Sequence, residues 1–117
     1  MGNELHELTT LEDLEKLLAD SAKRTQLIFK HSTTCPISTR AYSELKKHLE
    51  ASASMDVDYG LIVVQTARYV SNAAAEKLGV QHQSPQAILV RNRQAVWNAS
   101  HYDITNGSLT EAISKKD

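Results

Sequence analysis

Leu11, Leu14, Leu17 and Leu18 recur at helical spacing behind Thr9 and Thr10, with Glu12 and Asp13 in what would be the first turn. The spacing predicts an amphipathic helix running to about Ala22. Gln26-Leu27-Ile28-Phe29-Lys30 is too short for a helix of its own and rich in β-formers, so it reads as a buried strand. Beyond a polar stretch, Ile37, Ala41, Leu45 and Leu49 stand four apart with Tyr42 beside them. They form the core stripe of a second helix, expected to end near Ser52 or Ser54. Pro36 suits the first position of that helix, where the N–H it lacks would have no partner, and Cys35 then falls at the N-cap.

Residues 59–64, Tyr-Gly-Leu-Ile-Val-Val, are continuously apolar rather than alternating, the pattern of a strand covered on both faces as in parallel sheets. Ser71 reads as the cap of a third helix from Asn72 to Leu78, stopped by Gly79. After Pro85, the runs 87–90 and 95–99 flank Arg91-Asn92-Arg93-Gln94, a hairpin that lacks the favoured Asn-Gly turn. Ser108-Leu109-Thr110-Glu111 fits a capping box ahead of a final helix, with Thr105 as an alternative start one turn earlier. The order α-β-α-β-α-β-β-α is that of an α/β domain. No repeat, low-complexity tract or linker interrupts it.

Composition narrows the class further. With 117 residues, 41% hydrophobic, 23% charged and only four Gly and two Pro, residues 1–117 read as a single globular domain. Thirteen Lys and Arg against fourteen Asp and Glu give a net charge of −1, which supplies no basic field for nucleic acid or an anionic membrane. No run reaches the roughly 18 apolar residues of a membrane span, and residues 1–7 lack the basic and apolar regions of a signal peptide. A cytoplasmic location is expected. Gly2 is no myristoylation site, because His6 stands where Ser or Thr is needed, and the sequons at Asn98 and Asn106 read as accidental.

The chain has one cysteine, which excludes an intramolecular disulfide and leaves a thiol that a reducing compartment preserves. At the start of a helix, unpaired backbone N–H groups and the macrodipole favour a thiolate, which is both nucleophile and leaving group. Lys30, His31 and Arg40 are candidates for added positive potential. The plainer alternative makes Cys35 a small buried hydrophobe. Ser38 stands three residues on, so the motif is C-x-x-S where a dithiol oxidoreductase has C-x-x-C. A single thiolate can exchange with a mixed disulfide but cannot reduce a partner through an internal disulfide. Monothiol chemistry is what remains.

The run Phe29-Lys30-His31-Ser32-Thr33-Thr34-Cys35-Pro36-Ile37-Ser38, together with His82-Gln83-Ser84-Pro85-Gln86, Val96-Trp97, Ser100-His101 and Ile104-Thr105, resembles the monothiol bacilliredoxin family. That resemblance covers most of the chain and implies a thioredoxin-like fold: a mixed four-stranded sheet flanked by helices, with an N-terminal helix. It implies that Cys35 takes bacillithiol from S-bacillithiolated client proteins. Thr34, Pro36, Ile37, Ser38, Ser84 and Pro85 would support the site, and Pro85 would be the cis-proline facing the sulfur. Bacillithiol, or a similar low-molecular-weight thiol, enters as co-substrate, and no bound cofactor or metal is implied. One departure is Arg93 in the hairpin turn, where family members often have Gly.

Three rival readings stand beside it. A monothiol glutaredoxin-like iron–sulfur carrier would have Gly-Phe-Ser after the cysteine, where this chain has Pro36-Ile37-Ser38, and one thiolate supplies only one cluster ligand. Zinc held by His31, Cys35, His82 and His101 has suitable donors but no compact ligand spacing. A non-catalytic thioredoxin-like module would bind an extended peptide beside Cys35 and Pro85.

Overall fold

The computed structural model describes residues 5–51 and 56–115. In chain order these form β1 (Leu5–Glu7), α1 (Leu11–Asp20), β2 (Thr25–His31), α2 (Pro36–Ala51), β3 (Val57–Val63), α3 (Arg68–Leu78), β4 (Gln86–Arg91), β5 (Gln94–Ser100), a 3-10 turn at His101–Asp103 and α4 (Asn106–Ser114). The strands make one mixed sheet in the order β1-β3-β2-β4-β5. β1 and β2 run parallel to β3, whereas β4 is antiparallel to both β2 and β5.

Strand alternation divides the core. Ile28, Ile62, Ile88 and Val90 pack with Leu14, Leu17 and Leu18 of α1 and with Val70 and Ala74 of α3. On the other face Leu27, Phe29, Tyr59, Ala87 and Leu89 pack with Ala41 and Leu45 of α2 and with Leu109 and Ala112 of α4. Helices on both faces explain why the central strands read as continuous apolar runs.

The sheet has five strands, not the expected four, because β1 pairs Leu5, His6 and Glu7 with Tyr59, Gly60 and Leu61 along the edge of β3. Three residues with one apolar position carry no strand signal, and the pairing comes from the edge that β3 offers. Gly60 matters at this seam: a Cβ there would sit 2.9 Å from Leu17 Cδ1 and 3.1 Å from Leu8 Cδ1.

Most boundaries follow local chemistry. Thr10 caps α1, its Oγ1 accepting from Asp13 N–H at 3.0 Å while Asp13 returns a bond to Thr10 N–H. Two starts differ from expectation. α3 begins at Arg68 with Ala67 as N-cap, and Ser71 lies inside the helix, fully buried, with its hydroxyl turned to His82. α4 begins at the earlier alternative, since Thr105 accepts from Ser108 N–H at 2.9 Å and Ser108 serves as third helical residue of that capping box. α2 is described to Ala51, and the ends expected at Ser52 or Ser54 lie outside the described residues. The hairpin turn forms without Asn-Gly: Asn92 and Arg93 both take positive φ, 52° and 62°.

His48 ties the second layer together, its Nε2 lying 2.9 Å from Tyr59 Oη and its Nδ1 3.0 Å from Thr110 Oγ1. Burial lowers its pKa. As the medium is acidified past the ordinary imidazole value near 6.5, the unfolded chain takes up this proton first, so stability is lost below that pH. Urea unfolding should show a fall of up to about 1 kcal/mol per pH unit from this residue between pH 6.5 and 5.5, and His48→Gln should flatten it. An equal slope in the variant would contradict the assignment.

Candidate active site

β2 delivers the chain to the site and α2 takes it away. Thr39 N–H donates to the Cys35 carbonyl at 3.1 Å, the first helical bond of α2, so Cys35 is the residue at the helix start. Its own N–H donates to Ser32 O at 3.4 Å and closes the turn through Thr33 and Thr34. Cys35 is partly exposed, Thr34 and Pro36 are exposed, and Ile37 is half-buried. A cysteine partly exposed at a helix start is not the small buried hydrophobe of the plainer reading.

Ser38 is wholly buried and holds the loop from beneath. Its Oγ accepts from Ser32 N–H at 2.9 Å and lies 2.8 Å from His31 Nδ1. Burial lowers the His31 pKa, which favours a neutral ring whose Nδ1 accepts a hydrogen bond from the Ser38 hydroxyl. The His31 ring packs 4.8 Å from Tyr42 and 6.0 Å from Phe29. The bonds of Ser38 therefore run to the loop and to His31, and its role is to hold the turn that presents the sulfur. Ser38→Ala should cost about 1–3 kcal/mol, since it strands Ser32 N–H and the imidazole together. Urea midpoints check this; a change under about 0.5 kcal/mol would contradict it.

From the other side Gln65, just past β3, grips the same turn. Its Nε2 donates to Ser32 Oγ at 2.8 Å and to Thr34 Oγ1 at 3.2 Å, and its Oε1 accepts from Thr33 N–H at 3.2 Å. Sequence reasoning missed Gln65 because a lone glutamine thirty residues downstream carries no motif. The only available signal was its place at the end of the strand beside β2.

Pro85 stands across from this loop. Lys30 pairs with Gln86 in the β2–β4 ladder, so the residue before Gln86 sits beside His31 at the end of the sheet where Cys35 lies. The Ser84–Pro85 peptide bond is cis. Pro85 O accepts from His101 N–H at 3.1 Å, fixing the 3-10 turn to this wall. Ser84 Oγ is buried and has no hydrogen-bond partner among the described residues. Arg40 lies over the Tyr102 ring at 5.5 Å, while Lys30 turns away from the loop toward α3 and His82. The four zinc candidates do not gather: His31 bonds Ser38, His82 bonds Lys30 and Ser71, and His101 lies in the 3-10 turn. Among the described residues no three His, Cys, Asp or Glu side chains are grouped to hold a metal ion.

A cleft of about 780 Å³, lined in part by Thr25, His48, Arg91 and Ile113, lies at the opposite end of β2, so Cys35 has no share in it. No helix among the described residues is long and apolar enough to cross a membrane.

A sheet of this order, a cysteine at the start of α2 and a cis-proline beside it define a thioredoxin-fold thiol oxidoreductase, here with one thiol. Solved structures agree on the fold. A thioredoxin-fold protein described provisionally as an oxidoreductase is 34% identical, with TM-score 0.82 and 94% of each chain covered. The thioredoxin of Fasciola hepatica superposes with TM-score 0.71 at 18% identity, covering 93% of this chain and 96% of its own. That of Trypanosoma brucei brucei gives 0.76 at 10% identity, covering 97% and 90%. Residues 6–109 match the sequence model of the family described as Monothiol bacilliredoxin BrxC, and the chain belongs to the monothiol bacilliredoxin family.

Proposed function

We propose that this protein removes bacillithiol from mixed disulfides on client proteins through Cys35. The observation that carries the reading is the lone thiol: one cysteine, partly exposed at the start of α2, in a chain with no second thiol to resolve it. In the forward step the Cys35 thiolate attacks the bacillithiol sulfur of the client disulfide. A Cys35–bacillithiol bond forms, the client–bacillithiol bond breaks, and the client leaves as a thiolate that takes a proton from solvent. One disulfide is exchanged for another, so no outside oxidant or reductant enters this step.

With no resolving sulfur, the adduct persists until a second low-molecular-weight thiol attacks it, and recycling is intermolecular. The Pro85 wall shapes the groove, and Ser38 with Gln65 fixes the loop. A free thiol and the absence of a basic field fit a reducing, cytoplasmic setting without nucleic acid or membrane partners.

Substrate identity is tested by comparing one client loaded either with bacillithiol or with glutathione. Release from the bacillithiol form should be faster by about tenfold or more, equivalent to roughly 1.4 kcal/mol of discrimination. Equal rates would remove bacillithiol as the particular thiol and leave the exchange itself standing.

A further inference from the structure

The chemistry above leaves one buried charge unused. Lys30 is 0% exposed and faces α1 and α3 from the second-last position of β2. Its Nζ donates to Ser71 O at 3.0 Å and to His82 Nδ1 at 3.2 Å. Both acceptors are uncharged, and none of the ion pairs found among the described residues involves Lys30. Burial pushes its pKa down to about 8, so near neutral pH the side chain is still mainly an ammonium. An ammonium held by neutral acceptors alone lowers stability relative to an apolar side chain of equal reach. A charge retained on those terms beside a reactive loop points to a task.

The task follows from what it grips. His82 lies in the irregular segment between α3 and β4 that ends at Ser84 and Pro85. An ammonium has three donors and no lone pair, so His82 must accept at Nδ1 and carry its proton on Nε2. Ser71 Oγ reaches the same Nδ1 at 3.2 Å. Gln86 holds the segment a second time, its Nε2 donating to Gln81 O at 3.0 Å and its Oε1 accepting from Gln83 N–H at 3.4 Å. Lys30 and Gln86 are partners in the β2–β4 ladder, so two facing positions of the central strands grip one segment.

We propose that Lys30, acting through His82, is a positioning residue that holds the segment leading to Pro85 in the shape that receives the client disulfide. This rests on the reading that the groove between Cys35 and Pro85 takes that disulfide. The grip depends on protonation, because a proton on His82 Nδ1 turns the acceptor into a donor facing the Lys30 ammonium. Arg68 of α3 adds like charge, and burial together with these two cations lowers the His82 pKa.

The test compares reduced wild-type protein with Lys30→Met, which keeps the reach and drops the charge. Nitrogen-15 spectra of the imidazoles should show His82 in the Nε2–H form in the wild type, titrating below the ordinary value near 6.5, and titrating closer to that value in the variant. Amide exchange across residues 80–84 should quicken by about tenfold. For an S-bacillithiolated client KM should rise about tenfold, while iodoacetamide should alkylate Cys35 within about twofold of the wild-type rate. The thermal midpoint of the variant should equal or exceed that of the wild type. His82→Ala, placed outside the core, should raise KM similarly with Lys30 untouched.

An Nδ1–H tautomer, or a His82 titration that Lys30→Met leaves unmoved, would overturn the hydrogen-bond assignment. A shifted titration with an unchanged KM would overturn the positioning role. Wild-type protein inactive on every thiolated client would instead remove the proposed function, and that outcome is read without either variant.

Discussion

Cys35→Ser should retain the fold and lose all transfer of the small thiol. The retention has a local cause: Cys35 occupies the start of α2, where serine is among the favoured residues, so stability should change by under about 1 kcal/mol. The loss is chemical. A serine hydroxyl is neither ionised near neutral pH nor able to form a disulfide, and the chain holds no other sulfur nucleophile of its kind. Client release should fall to the rate of buffer alone, and the variant should gain no mass. Thermal midpoints near wild type would show that unfolding is not the reason. Release persisting above the buffer rate would mean that the exchange does not pass through Cys35.

Phe29→Ala should be the most damaging single truncation near the site. Phe29 is 0% exposed in the central strand, and opposite it in the β2–β4 ladder stands Ala87, whose small side chain leaves room for the ring. Removing a ring from such a position costs about 3–5 kcal/mol, a large share of the 5–15 kcal/mol that holds a domain together. Its ring meets those of Tyr42 and His31 at 6.0 Å each, and His31 in turn bonds Ser38, so the loop before Cys35 should loosen as well. Urea unfolding measures the first effect and proteolysis within residues 31–35 the second. Tyr102→Ala, at a side chain 62% exposed, should stay within about 0.5 kcal/mol. A loss under about 1.5 kcal/mol for Phe29→Ala would show that the core repacks around the gap.

Elements with strong periodic cores were legible in the chain. The first helix, the run through Phe29 and the second helix each became the expected element, because Leu14, Leu17 and Leu18, the strand residues, and Ala41 with Leu45 fall on the face that is buried, while Leu11 is exposed and Ile37 half-buried at its margin. Cys35 was legible through Pro36, whose chemistry marks a helix start. What stayed hidden depends on partners distant in sequence. β1 exists by pairing with β3, and Ser71 looked like a cap although its hydroxyl serves His82. Lys30 looked like surface potential for the thiol, and only the packing of α3 against β2 shows its ammonium wholly buried on Ser71 and His82. Gln65 was invisible for the same reason, since its meaning lies in the loop it braces.

The most direct measurement is the intact mass of reduced protein followed in time after mixing with a purified client carrying one bacillithiol. The expected result is a gain of one bacillithiol on Cys35 in step with the appearance of free client thiol, and an adduct that remains until another small thiol is added. A client that stays modified after prolonged incubation, with the protein bound to it but unchanged in mass, would contradict the oxidoreductase reading and leave a peptide-binding module.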